Sequence, residues 1–224
     1  FAPTEADLGS VRAVAETVMD EAGMFGMAAA EKAQRALEEP EPLARHYDVV
    51  AANPPYISNM NDWLKSLVKK NYPDGKTDLF AAFLSRNLRF ANASGQLGFM
   101  TPYVWMFISS YEKMRSYLID RQTIISLVQL EYSGFSGATV PICIFTLQKG
   151  ASSNYQGGYV RLSDFKGAAN QAPKTLEAIQ NPDCGWFYRV DQQDFKKIPG
   201  LRFGYWASSS QLVSFDSATP LGKL

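Results

Sequence analysis

Asn53-Pro54-Pro55-Tyr56 is the stretch of this sequence whose residue types and spacing are best suited to chemistry. A proline fixes its own φ and pushes the residue before it toward extended backbone, so two in succession make a rigid loop. Neither has an N–H to occupy a neighbouring carbonyl, and the loop is therefore rich in free acceptors. The Asn53 side-chain oxygen and the Pro54 carbonyl together can accept both hydrogens of an amino group, while Tyr56 offers a ring face for a planar group to stack on. That arrangement suits methylation of an exocyclic amino nitrogen. The lone pair of such a nitrogen is delocalised into its ring, and hydrogen bonds from its N–H groups help to localise it, with no nucleophilic side chain required.

A loop of this kind needs an element to present it. Asp48-Val49-Val50-Ala51-Ala52, directly before it, is a short, nearly continuous apolar run, the pattern of a strand buried on both faces. Open α/β sheets place their ligands at the carboxyl ends of such strands. Further along, Thr77 or Asp78 can cap a helix with the apolar stripe Leu79, Phe80, Phe83, Leu84 and Leu88, ended by Ser94-Gly95. Leu97 to Thr101 reads as a second buried strand, and Ser109 with Glu112 has the capping-box spacing for a helix through Leu118. Thr123 to Leu130 and Val140 to Gln148 read as third and fourth strands, joined by a loop carrying Gly134, Phe135 and Gly137 and expected to pair antiparallel at one edge. Strands alternating with helices predict an α/β fold with helices on both faces of a largely parallel sheet.

The flanks differ in character. Residues 1–46 read as a helical connecting segment, with two helices parted by Gly23 and Gly26 and closed by the Glu-Pro-Glu-Pro run ending at Pro42. Residues 47–150 carry the strand-and-helix pattern. Residues 151–224 break into short Gly- and Pro-punctuated segments, expected to be a linker and the start of a further subdomain. With no strand predicted ahead of it, the Tyr47 to Ala52 strand is expected at the sheet edge.

Composition narrows the classes. The 224 residues carry 22 Lys+Arg against 22 Asp+Glu and an apolar share of 46%, which excludes a disordered tail and a strongly basic nucleic-acid module. Cys143 and Cys184 fit neither a disulfide framework nor a metal site, and a reducing, cytoplasmic location follows. The nearly apolar Tyr103 to Ile108 stretch is far shorter than the roughly 20 residues of a membrane helix. His46 has no partner at metal-ligand spacing, and Gly23 to Gly26 is no phosphate loop. Lys65, Lys69, Lys70 and Lys76, near Trp63 and Tyr72, can contact phosphates or form a solvated helix face. Trp186-Phe187-Tyr188 and Phe203-Gly204-Tyr205-Trp206 are expected in the core, with a target-recognition role as the other reading.

From Tyr47 to Gly150 the chain resembles the catalytic half of the gamma-class adenine-N6 DNA methyltransferases of restriction-modification systems. Asp48 to Tyr56 is similar to their catalytic motif, and Asp78-Leu79-Phe80-Ala81-Ala82-Phe83-Leu84 to the next motif. Ser94-Gly95-Gln96-Leu97-Gly98-Phe99 resembles their turn and fifth strand, and Gly134 to Phe145 the hairpin that carries a second stacking aromatic. Lys69-Lys70-Asn71-Tyr72-Pro73 and Trp105-Met106-Phe107-Ile108-Ser109-Ser110 are similar to the much larger methyltransferases of BREX phage-defence systems.

The resemblance implies the second half of a Rossmann-like class I methyltransferase sheet with an antiparallel edge hairpin, S-adenosylmethionine as cofactor, and methyl transfer to adenine N6 in double-stranded DNA. It implies restriction or phage-defence subunits as further partners. Residue by residue, Asn53 and Pro54 would hold the target amino group, with Pro55 completing the catalytic loop. Tyr56 and Phe135 would sandwich an adenine flipped from the duplex, and Phe83 and Asn53 would lie against the cofactor. The family's glycine-rich cofactor loop and ribose-holding acidic residue have no counterpart before Tyr47. The chain is therefore expected to be part of a longer protein and to be inactive alone.

Two other readings stand beside this one. Asn-Pro-Pro-Tyr also suits enzymes that methylate a glutamine side-chain amide in release factors, although these would place a short acidic closing motif where Met100 to Trp105 leads into a helix. The other is a DNA-binding scaffold component that keeps the pocket and transfers nothing.

Overall fold

The computed structural model describes residues 40–132, 134 and 140–217, together with Gly9 and Ala13. Phe1–Tyr47 and Asp48–Leu224 form two separate compact units. The two helices expected around Gly23 and Gly26 lie outside the described residues, and Pro40–Ala44 is a short helix, α1.

Six strands share one sheet: β1 (Tyr47–Ala52), β2 (Ala91–Pro102), β3 (Gln122–Gln129), β4 (Ile142–Lys149), β5 (Gln156–Arg161) and β6 (Phe187–Asp191), in the order β1-β2-β4-β3-β5-β6. Strand β4 runs antiparallel to both β2 and β3, β5 is parallel to β3, and β6 is antiparallel to β5. The sheet is mixed rather than largely parallel. Strand β4 returns antiparallel to β3 and fills the gap between β2 and β3. Because β5 and β6 extend the sheet beyond β3, the hairpin expected at an edge is interior, and the sheet continues past Gly150.

Strand β1 stands at the end of this order. It buries one face instead of two: Val50 and Ala52 pack against the core while Val49 is 69% exposed, the alternation a pleated strand requires. Helix α2 (Asp62–Asn71) follows, capped by Asn61, whose side chain accepts from the Leu64 N–H. Helix α3 (Leu79–Phe90) is capped by Asp78 and buries Phe80, Leu84 and Leu88. It ends before the Ser94-Gly95 signal because Ala91 already turns extended, and Ser94 becomes a left-handed residue, φ 61°, within β2. Helix α4 (Glu112–Arg121) is entered through a tight turn over Ser109–Tyr111, with no side-chain cap bond, so the Ser109–Glu112 capping box does not form. Helices α5 (Ala168–Gln180) and α6 (Ser209–Ser217) complete the described elements.

The core lies between the helices and β2, β3, β4 and β5. Trp105 packs on Phe145 and Phe203, Phe203 stacks on Phe195, and Tyr159 stacks on Tyr205. Arg115 is fully buried; its guanidinium donates to the carbonyls of Trp105, Ile108 and Gly200 at 2.6 to 3.0 Å. Burial lowers its pKa, and the carbonyls satisfy donors that would otherwise be orphaned. This one side chain ties the segment after β2 to the chain near residue 200.

Candidate active site

At Ala52 β1 hands the chain to the Asn-Pro-Pro-Tyr loop. Pro54 is buried and anchors it, Asn53 and Pro55 are exposed, and Tyr56 is half-buried. The Tyr56 hydroxyl lies 2.9 Å from Asn53 Oδ1 and 3.2 Å from the Met100 carbonyl of β2. Burial, with a smaller electrostatic push from Cys143, raises the phenol's pKa, so it stays an O–H donor. One proton serves one acceptor at a time, and an amide oxygen has two lone pairs, so Asn53 retains capacity for a second donor.

Asp78 supplies the other support. Its Oδ1 accepts the N–H of Ile57 at 3.0 Å and of Phe80 at 3.2 Å, while the Leu79 N–H donates to the Ile57 carbonyl at 3.0 Å. The start of α3 is thereby clamped to the residue after Tyr56. Burial raises the carboxyl pKa, and the backbone N–H groups of Phe80, Ile57 and Leu79 pull it partly back. Phe83 sits just over one turn into this helix with its ring 41% exposed, beside the fully buried Phe80 and Leu84.

The structure thus brings Asn53, Pro54, Pro55 and Tyr56 into one acceptor-and-ring cluster, and it places Phe83 on the helix clamped to that cluster. Phe135 lies outside the described residues. Sequence reading missed the Met100 carbonyl, which as a backbone group carries no residue-type signal. It saw Asp78 as a helix cap and as the head of a motif stretch, but not its reach across 21 residues to Ile57, which is tertiary. Tyr103, just past β2, is a further polar group: burial raises its pKa, and Gln129, Glu131, Tyr132 and Arg161 stand near its hydroxyl. Cys143 is fully buried, with its Sγ 3.6 Å from Thr101 Oγ1 and its thiol pushed up to about 12, so it packs as a neutral group.

Residues 20–135, just over half of the chain, match the family described as Eco57I restriction-modification methylase. The chain belongs to that family. This Eco57I-type methylase chain is 36% identical over 185 residues to the "Adenine-specific methyltransferase BrxX" of Escherichia coli O9:H4 (strain HS), covering 80% of the chain and 15% of that protein. It is 34% identical over 175 residues to the "Adenine-specific methyltransferase PglX" of Lacticaseibacillus casei (strain Zhang), covering 76% of the chain and 14% of that protein. It therefore spans about one seventh of the length of these relatives. The type I restriction-modification methyltransferase subunit of Streptococcus thermophilus superposes with a TM-score of 0.53 at 16% identity, over 68% of this chain and 36% of that one. The fold is accordingly that of a class I methyltransferase sheet.

Proposed function

We propose that the full-length protein carrying this chain methylates the N6 amino group of adenine in double-stranded DNA, using S-adenosylmethionine, within a restriction-modification or phage-defence system. The observation that carries this reading is the Tyr56–Asn53 hydrogen bond: it holds an amide oxygen with spare acceptor capacity beside a half-exposed aromatic ring, the pairing a planar amine requires. Both named relatives are called adenine-specific methyltransferases, which favours adenine over a glutamine amide.

When bound, S-adenosylmethionine supplies an electrophilic methyl group. The residues present fit it, because the loop offers acceptors and no competing nucleophile, and Phe83 offers an uncovered ring for the cofactor's adenine. In this reading Asn53 and Pro54 accept the amino hydrogens, and their carbonyl dipoles stabilise the positive charge that builds on the nitrogen. Pro55 keeps the loop rigid. Tyr56 stacks on one face of a flipped adenine and Phe135 on the other. A DNA substrate and two free cysteines accord with a cytoplasmic location; among the described residues no helix is long and apolar enough to cross a membrane.

The test is Asn53→Ala in the full-length protein. DNA methylation should fall by roughly 100- to 1,000-fold, the scale on which one preorganised polar contact acts, while S-adenosylmethionine affinity, read by calorimetry, falls by far less. Retained methylation would overturn the role of Asn53. A wild-type protein that binds DNA and transfers no methyl would support the scaffold reading instead.

A further inference from the structure

A cavity of about 410 Å³ opens directly beyond the catalytic loop, lined by Ser58, Met60, Lys65, Lys69, Lys76 and Thr77. Three lysines and two hydroxyl-bearing side chains face it, and no acidic side chain lines it. Lys65 and Lys69 are four residues apart on α2, hence on one face, with the buried Val68 along its margin. Like charges at that spacing oppose each other within a helix. Among the described residues none of the three ammonium groups has a carboxylate within ion-pair distance; pairs such as Lys174–Glu177, Lys196–Asp120 and Lys197–Asp194 form elsewhere. Lys69 lies in the last turn of α2, where the helix dipole favours a cation, but that accounts for neither Lys65 nor Lys76.

The cavity is a framed one. Ser58 and Met60 follow Ile57, and Lys76 and Thr77 precede Asp78, so two of its walls are the segments joined by the Ile57–Asp78 and Leu79–Ile57 hydrogen bonds, and α2 is the third. The same clamp supports Tyr56. We propose that this lysine cavity holds the phosphodiester backbone of the DNA strand next to the target adenine. The proposal rests on the DNA methyltransferase reading above and extends it: holding phosphates beside the loop fixes the duplex in register while the base turns out. The occupant is a polyanion because concavity, three cations with no carboxylate partner among the described residues, and the Ser58 hydroxyl coincide two residues from Tyr56, while the Thr77 hydroxyl already donates to the Ser110 carbonyl.

The test uses the full-length protein, a fluorescent DNA duplex and anisotropy from 50 to 200 mM salt. Each lysine that neutralises a phosphate contributes about 0.9 to the slope of log K against log salt. The triple variant Lys65→Gln, Lys69→Gln, Lys76→Gln should therefore show a slope shallower by roughly 2 to 3. Its affinity should drop on specific and unrelated duplexes alike, and its KM for DNA should rise. The matching triple arginine variant, which keeps the charge, should restore the slope. Single glutamine variants, each expected to lose about 0.9, serve if the triple is unstable. An unchanged slope in the glutamine variants of a protein that methylates adenine overturns the phosphate site alone. A wild-type protein that binds duplex with a steep slope yet transfers no methyl overturns the methyltransferase reading and leaves the slope comparison intact.

Discussion

Tyr56→Phe separates the two jobs assigned to this residue. The change keeps the ring and deletes the hydroxyl that reaches Asn53 Oδ1 at 2.9 Å and Met100 O at 3.2 Å. Because one proton makes one full hydrogen bond at a time, the loss is about 0.5–1.5 kcal/mol. Spent on orienting the Asn53 amide, about 1 kcal/mol is roughly a five-fold preference for one orientation. Without it the two amide orientations approach equality, so the productive share drops from about five-sixths to one half and kcat/KM should fall by only about two-fold. Tyr56→Ala also removes the stacking face, worth about 1–3 kcal/mol per base. It should therefore lie a further 5- to 150-fold, roughly, below the phenylalanine variant. The assay is transfer of labelled methyl from S-adenosylmethionine to duplex DNA by the full-length protein. A phenylalanine variant as damaged as the alanine variant would refute the reasoning, since it would assign the loss to the hydroxyl.

Two further perturbations probe the supports. Arg115→Met leaves the buried Trp105 carbonyl and the part-buried Ile108 and Gly200 carbonyls without their donor, and at about 1–3 kcal/mol for the buried orphan and about 1 kcal/mol for each carbonyl that water can reach the loss should be about 3–5 kcal/mol, read as hydrogen-exchange protection of residues 103–108 in the full-length protein; a loss under about 1 kcal/mol would contradict it. The Asp78 carboxyl is raised by burial, so its proton is bound more tightly in the fold. It favours folding fully below its ordinary pKa, and that contribution disappears as pH climbs through the raised folded value. Asp78→Asn keeps an acceptor oxygen and lacks this titration, so its urea midpoint should gain on the wild type across that window, and a pH-independent difference would contradict the account.

Local signals carried the site further than the fold. The apolar run before Asn53 and the prolines after it define a presented loop within ten residues, and Asp78 is legible as a cap because its partner Phe80 is two residues away. Past Gly150 the signals mislead. Gly157-Gly158 reads as a break, yet Gly157 lies inside β5, where a Cβ would stand 2.6 Å from the Ile124 carbonyl. The glycine is there for close approach to β3, a constraint set by a strand more than thirty residues away. Gln192 is similar: its buried side chain accepts from the Ile124 N–H and donates to the Ile119 and Gln122 carbonyls, a satisfied polar stitch that resembles surface glutamine in the sequence. The parallel β3–β5 pairing is likewise non-local, and a one-dimensional pattern does not reveal it.

The way the loop is held bears on how it would act. An acceptor site for a weakly nucleophilic amine gains most when its dipoles are oriented before the substrate arrives, since no reorganisation then opposes the reaction. Prolines supply rigidity along the chain, but they cannot fix where the loop stands. That falls to bonds from outside it: Tyr56 to Met100 on β2, and Ile57 to Asp78 and Leu79 at the start of α3. Position is therefore set by the neighbouring strand and helix as well as by β1, whose outer face is exposed at Val49. Since Asp78 and Leu79 also close the frame of the lysine cavity, weakening that clamp should disturb the acceptor loop and the DNA-backbone cradle together, whereas lysine substitutions inside the frame should disturb only the second.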